Sequence, residues 1–434
     1  MDAPAPGSLV TAESLSSLDA FQLFREHARA KQPDWNPRHG ADVDAVAEIL
    51  RLTEGVPLAI ELAAAAIDEK TLVEIREGLA RRMEFLGREQ PALDPRHRSM
   101  RASLDYSYGL LSDQQKGLFA KVSVFSGGFF AEDVEAVCAT RDTRALLAAL
   151  KGRSFLVRTE LLGRTRYSML TTVRDYAAEK LGLAAQDLKR AHAQHFLKVL
   201  KAADAQLAGG EYAAALTRTD ADFENFMAGM KASEEAGDHQ AVIDYATDLA
   251  GYLQIKGRFA ERLALALRAR ASALALDDSQ LVAGRDNNLG NAYSDLPTGD
   301  RGENLRRAIE CYEAALRVRT EREFPQDWAT TQNNLGTAYV DLPTGDRGEN
   351  LKRAVACYEA ALRVRTERDF PQDWATTQNN LGTAYGNLPT GDRGENLKRA
   401  IACYEAAARG YDAVGMKSEA ERLRRLAEPL KSKA

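Results

Sequence analysis

At 434 residues the chain is long enough for two or three domains, each able to bury its own core, so a single small module is excluded. Hydrophobic residues make up 45% and charged residues 28%, with a net charge of -5. That balance excludes a disordered chain or one that coats nucleic acid, and it names no partner. The opening residues MDAPAPGSLVTAESL have no basic stretch followed by an apolar core. No run elsewhere approaches the roughly 18 apolar residues of a membrane helix, so the expectation is a cytoplasmic protein with no membrane contact.

In chain order, Leu15 to Ala30 has an amphipathic helix pattern, with Leu18, Phe21, Leu23 and Phe24 apolar and Asp19, Arg25 and Glu26 polar. After a break rich in proline and glycine from Pro33 to Gly40, a second helix is expected over Val43 to Leu52. In Gly55 to Ala66, Gly55 supplies a tight entry turn and Pro57 suits the first helical position, where its missing N–H costs nothing. Three helical patterns between Arg96 and Cys138 lead to two strand-like runs, Phe155 to Thr159 and Arg166 to Leu170, joined by a turn at Gly163. Helices followed by a two-stranded wing describe a winged helix. A helical connector follows from Ala184 to Asp238. Ala241 to Leu276 then has a two-helix shape, with Leu249, Tyr252, Gly257 and Phe259 suggesting a degenerate repeat.

The next segment is copied. Asn287 to Gln332 returns as Asn333 to Gln378 with six differences in 46 positions, and a third copy starts at Asn379 before diverging. Each copy holds two helical stretches, one carrying Leu335, Gly336 and Tyr339, the other Ala354, Tyr358, Ala361 and Leu362. Pro343, Gly345 and Gly348 separate them, and Phe370-Pro371 ends the unit. The tail from Gly415 reads as a capping helix, which a terminal repeat needs to cover its apolar face.

These units resemble the tetratricopeptide repeat, whose signature places Leu335, Gly336 and Tyr339 in helix A and Ala354, Tyr358 and Ala361 in helix B. Two six-residue loop expansions would stretch that family's roughly 34-residue unit to the observed period. Gly336 is expected to let helix B approach helix A. The resemblance implies a protein or peptide ligand on the concave face. The exposed inner positions of helix A lie two residues before the leucine and then at steps of four. They are Asn287, Asn291 and Asp295, then Asn333, Thr337 and Asp341, then Asn379, Thr383 and Asn387. All nine are polar. Short amide, hydroxyl and carboxylate groups suit an extended backbone, with Asp295 and Asp341 favouring a neutral or basic segment. Duplication of one polar helix face is the alternative.

Leu15 to Leu183, as an ordered set, resembles the C-terminal part of the switch module of STAND-class signalling NTPases, the family that includes NB-ARC and AfsR-like proteins. Gly55-Val56-Pro57-Leu58 matches its GxP motif, which makes Gly55 and Pro57 vestiges of a nucleotide-proximal site. Ser103 to Tyr108 and Phe125-Ser126-Gly127-Gly128-Phe129 match the start of its winged helix. Where that family carries Met-His-Asp, this chain has Met169, Leu170 and Thr171, so the histidine's nucleotide-sensing role does not carry over. A phosphate loop, G-x-x-x-x-G-K-[ST], occurs nowhere in the chain. The chain starts where the ATP-binding half would have ended, so no ATP hydrolysis and no cofactor are expected.

Other chemistry finds little support. His192 and His195 are spaced as a metal pair on a helix, but no carboxylate or cysteine cluster joins them, so satisfied or surface histidines are expected there and at His27, His39, His97 and His239. Cys311, Cys357 and Cys403 are one position copied three times, and Cys138 ends an apolar helix; all four read as packing thiols. No nucleophilic constellation is found. From Asp94 to Arg190, 16 Lys/Arg against 11 Asp/Glu give a net +5, with Arg96, His97, Arg98 and Arg101 clustered. That patch could contact DNA phosphates.

The sequence therefore predicts a mainly α protein, a helical subdomain plus winged helix followed by an α-solenoid of TPR-like helix pairs. The expected segments are 1–92 helical subdomain, 93–183 winged helix, 184–240 connector, 241–284 degenerate repeat, 285–414 three repeats and 415–434 cap. The expected function is a non-enzymatic regulatory or scaffold protein with no catalytic or metal site. A transcription regulator reading DNA through the winged helix is one alternative. A split subunit that completes a nucleotide site with an ATP-binding partner chain is another.

Overall fold

The protein, seen in a computed structural model, is mainly α-helical. The structure describes residues 1–2, 4, 11–37, 40–89, 94–182 and 185–432, with the backbone alone for 84–89; His39 lies outside the described residues. Contacts divide the chain into two units, one of Met1–Ala203 with Glu211–Ala232, the other of Asp204–Gly210 with Ser233–Ala434.

The first unit opens with α1 (Ala12–Ser16), α2 (Asp19–Lys31), α3 (Gly40–Leu52), α4 (Pro57–Ala65) and α5 (Leu72–Glu89). Phe21, Phe24, Val46, Ile49, Leu50 and Ile60 form their shared core. Four helices follow, one more than the periodicity predicts: α6 (Pro95–Gly109), α7 (Asp113–Lys121), α8 (Ala131–Cys138) and α9 (Thr143–Gly152). Ser112 and Gln115 close a reciprocal cap on α7. The hairpin starts two residues later than predicted, as β2 (Val157–Leu161) and β3 (Arg164–Ser168), because Phe155 and Leu156 are spent in the core. Its turn is Leu162-Gly163, both with positive φ, at 52° and 69°. The sheet has three strands, not two. Phe129–Phe130, as β1, pairs antiparallel with β3 in the order β1-β3-β2, and two residues carry too little alternation to be seen in sequence. Helix α10 (Thr171–Glu179) follows.

The connector stretch holds α11 (Ala185–Ala208) and α12 (Tyr212–Glu235). The second unit is a solenoid of helix pairs: α13 (His239–Ile255) with α14 (Phe259–Ala275), α15 (Ser279–Asp295) with α16 (Arg301–Leu316), α17 (Pro325–Asp341) with α18 (Arg347–Leu362), and α19 (Pro371–Asn387) with α20 (Arg393–Ala413). Within each copied pair a glycine faces a buried tyrosine. A Cβ on Gly290, Gly336 or Gly382 would fall 2.5, 2.7 or 3.0 Å from the ring of Tyr312, Tyr358 or Tyr404, so the close approach expected at Gly336 occurs in all three copies. Each second helix begins at an aspartate cap, Asp300, Asp346 or Asp392. The added length lies in helix as well as in the connections, since α15 and α16 run to 17 and 16 residues. Helix α21 (Lys417–Lys431) buries Ala420, Leu423 and Ala427 in the repeat core.

Candidate protein-binding face

The first helices of the copied pairs stack through their side chains. Asn334 Nδ2 donates to Asn287 Oδ1 at 3.3 Å and to Asn291 Oδ1 at 3.1 Å. One copy later, Asn380 Nδ2 donates to Asn333 Oδ1 at 3.2 Å. The tyrosines of the second helices join from the other side: Tyr312 donates to Asn291 Oδ1 at 2.8 Å, and the Tyr358 and Tyr404 hydroxyls lie 3.1 and 3.2 Å from those of Thr337 and Thr383. Thr337 and Thr383 also donate back to the carbonyls of Asn333 and Asn379. Asn379 Nδ2 reaches Asn380 Oδ1 at 3.5 Å.

This corrects the expectation of an exposed stripe. Asn287 and Asn333 are buried, and Asn291, Thr337, Asn379 and Thr383 are half-buried. The physical reason is that neighbouring copies pack closely enough for each amide to be consumed by the next. Asp295, Asp341 and Asn387, at the helix ends, are exposed. Asp295 is paired with Arg262 at 2.5 Å and Asp341 with Arg301 at 3.4 Å, so neither aspartate offers an unmatched charge to a basic segment.

A cleft of about 120 Å³ opens among α13, α14 and α15, with Arg262, Arg285, Asn288, Asn291 and Thr247 as its polar lining and alanines as the rest. Sequence reasoning missed Arg285, because it precedes the copied block. The available signal was alignment of Ala283-Gly284-Arg285-Asp286 with Ala329-Thr330-Thr331-Gln332, where the copies have no arginine.

In the first unit the FSGGF stretch is held from below by α12. Asn225 accepts from the Ser126 amide and donates to the Gly128 carbonyl, both at 2.7 Å. Gly128 has φ +125°, and a Cβ there would meet the Arg166 guanidinium at 2.9 Å. Arg166 pairs with buried Asp222 at 2.8 Å. Arg218 also binds Asp222 and reaches Asp133 at 3.3 Å, and His195 Nε2 lies 2.9 Å from the same Asp133 oxygen. Burial pushes the Asp133 carboxyl up, but the His195 hydrogen bond and the Arg218 charge outweigh it and hold it below the usual range. His192 is buried against Asn225 at 3.2 Å, and burial pulls its pKa down to about 4. Both histidines are thus satisfied by protein partners. Among the described residues no group of three or more His, Cys, Asp or Glu is placed to hold a metal. Burial pushes the thiols of Cys138 and Cys357 up to about 12 and those of Cys311 and Cys403 to about 11, which suits packing and not nucleophilic roles.

Gly55 takes φ +65° and Pro57 opens α4, as their local chemistry predicts. Arg101 is engaged by Glu179 at 2.7 Å and lies over the Tyr176 ring, while Arg96 is exposed. No helix of the described residues is long and apolar enough to cross a membrane.

No protein-family model matches the chain. It is similar to "Putative HTH-type transcriptional regulator Mb0914c" of Mycobacterium bovis, 33% identical over 243 residues that make up 54% of this chain and 27% of that protein. It is also similar to the uncharacterized protein Mb0918 of the same organism, 37% identical over 170 residues, 38% of this chain and 43% of the other. The chain spans less than half the length of either relative. Two solved structures are distantly similar to it. BtubC (BKLC) from P. vanneervenii has a TM-score of 0.32 at 23% identity, covering 47% of this chain and 87% of its own. A STAND protein with a tetratricopeptide repeat sensor from Pyrococcus horikoshii has a TM-score of 0.31 at 14% identity, covering 95% and 72%. Neither superposition is close, and neither bears on function.

Proposed function

We propose that this chain is a non-enzymatic regulatory protein of STAND-like type whose solenoid holds a protein or peptide, while a helical subdomain and winged helix in the first unit serve as switch elements. The carrying observation is the cleft among α13, α14 and α15, a concave surface bearing amides and arginines in a stack otherwise closed by its own hydrogen bonds. The relative named as a transcriptional regulator supports a regulatory role. The lack of a phosphate-loop motif supports a role without catalysis, or one completed by an ATP-binding partner chain.

Peptide-display selection against the full chain, followed by hydrogen exchange, tests the reading. Selected peptides are expected to protect α13 to α17. Selection that yields no binder, or binders that protect only the first unit, would count against it, as would micromolar ATP binding by the chain alone.

A second reading, DNA binding by the first unit, is favoured by the same relative's name and by exposed Arg96. Arg101 is already committed to Glu179 and Tyr176, which thins the patch. Duplex binding should therefore be weak, with a shallow dependence on salt; a sequence-preferring complex lost in Arg96→Ala would favour this second reading.

A further inference from the structure

The hairpin of the first unit leaves one edge of its sheet open. In the order β1-β3-β2, strand β2 comes last, and among the described residues no further strand borders it. Val157, Arg158, Thr159 and Glu160 are all exposed, on both faces of the strand. An uncovered edge is a template for another strand, and natural sheets commonly block it with lysine, proline or a bulge. Val157 to Leu161 contains neither lysine nor proline, and β2 pairs with β3 residue for residue without a bulge.

The turn fixes which backbone groups face outward. Leu162 and Gly163 both have positive φ, and a two-residue turn of that kind is closed by a pair that exchanges both its hydrogen bonds. Here that pair is Leu161 and Arg164. Bonded and non-bonded pairs then alternate along an antiparallel ladder. Val157, Thr159 and Leu161 therefore spend N–H and C=O on β3, whereas those of Arg158 and Glu160 point to the open edge.

The side chains carry a second pattern. Period two puts Arg158 and Glu160 on one face, where β3 sets only Tyr167 and Thr165 opposite them. Arg158 Nη2 donates to the Thr165 hydroxyl at 3.2 Å. The strand reads apolar, basic, hydroxyl, acidic, apolar, so it is its own complement when reversed. About a twofold axis through Thr159, Arg158 of each copy stands opposite Glu160 of the other, and Val157, 43% exposed, stands opposite Leu161. That register makes Arg158 and Glu160 the hydrogen-bonding pairs, and they are the residues whose backbone groups are open. An axis through Arg158 or Glu160 would instead set like charges directly opposite each other, which is destabilising.

We propose that β2 pairs antiparallel with β2 of a second copy of this chain, joining two three-stranded sheets into one. Identical patches related by a twofold axis close on themselves, so the product is a dimer and not a fibre. Five residues from each copy are few beside a standard interface, which makes the dimer weak and reversible. All the residues concerned lie in the first unit, so the inference is independent of what the solenoid binds.

The test uses the full chain in sedimentation velocity at rising concentration, with site-resolved amide exchange alongside. Wild type is expected to pass from monomer to dimer at submillimolar concentration. The amides of Arg158 and Glu160 should gain protection as it does, while those of Thr159 and Leu161 are protected throughout. Arg158→Glu sets acid against acid and Glu160→Arg sets base against base, so each alone should weaken association at least about tenfold. The two variants mixed should pair with each other, and the double variant Arg158→Glu/Glu160→Arg should recover wild-type association, a rescue that a merely structural role of either residue would not give. Circular dichroism checks that each variant is folded. A wild-type chain that stays monomeric overturns the proposal, as does association that either single reversal leaves unchanged. Protection of the Arg158 and Glu160 amides only by an added extended peptide would also overturn it, since the edge would then take a foreign strand.

Discussion

The two units solve the burial of polar side chains in opposite ways. The first unit uses charge: Arg166, Asp222, Arg218, Asp133 and His195 form one connected network, with Asn225 beside it. The copied pairs use mostly neutral groups: asparagine, threonine and tyrosine hydrogen-bond within and between copies. The reason lies in repetition. A side chain in a copied array faces its own kind one step away, so a buried charge would meet a like charge, whereas an amide carries both a donor and an acceptor and can be joined head to tail. A segment present once is free to place opposite charges together. The array still buries one cation, Arg365, between the hydroxyls of Thr330 and Thr377, and where it meets the uncopied pair α13 and α14 two arginines, Arg285 and Arg319, stand near each other.

The comparison can be broken most forcefully at Asp222. It is fully buried, and Asp222→Ala leaves Arg166 as an uncompensated buried cation, so a loss of about 3–5 kcal/mol is expected in the first unit. Denaturant unfolding followed by hydrogen exchange should place the loss there and leave α15 to α20 protected. A loss below about 1 kcal/mol would show that the network is incidental.

In the solenoid, the largest single effect should come from Gly336→Ala. The new Cβ would sit 2.7 Å from the Tyr358 ring. Overpacking of that kind costs about 1–3 kcal/mol, against a gain of about 1 kcal/mol in helix propensity. Net destabilisation in a thermal melt, relieved by Tyr358→Leu, is the expected outcome. A stabilised Gly336→Ala would contradict the close approach.

Asn333→Ala tests the neutral ladder. Its oxygen accepts from Asn380, so about 1–2 kcal/mol should be lost from the copied pairs. Asp341→Ala is the control at the exposed end of the same helix, where a surface pair of this kind is worth about 0–1 kcal/mol.

His192 gives the first unit a pH dependence that the ladder lacks. Its pKa is lowered from 6.5 to about 4 by burial, so the unfolded chain binds more protons than the native one between those values. The sign follows: the stabilising effect of neutral His192 is complete above about pH 6.5 and is lost as pH falls toward 4. The slope this histidine adds approaches at most about 1.4 kcal/mol per pH unit. His192→Gln should remove that part of the slope in urea titrations of the first unit. An unchanged slope would mean that His192 is open to water in solution.

How much was legible in sequence follows from the range of the interactions involved. The helix pairs, the turn at Gly163 and Pro57 at the start of α4 could be read from residues at fixed short spacings, and the close approach at Gly336 from the repeat resemblance; the tyrosine it faces emerged only in the structure. Helical period, left-handed turns and proline's missing donor act within a few residues, so local sequence determines them. The copied block also made its own stacking predictable, since each unit can cover its apolar face only with its neighbour. The two-residue strand β1 was not legible, because Phe129 and Phe130 become a strand only by pairing with Tyr167 and Arg166. Nor was the burial of Asn287 and Asn333, which depends on how closely one copy approaches the next. The arginine pair at 285 and 319 was decided by tertiary structure alone. Sequence shows that the threonines of the later copies are missing there, but electrostatic energy depends on distance and burial, and these exist only once the helices are packed.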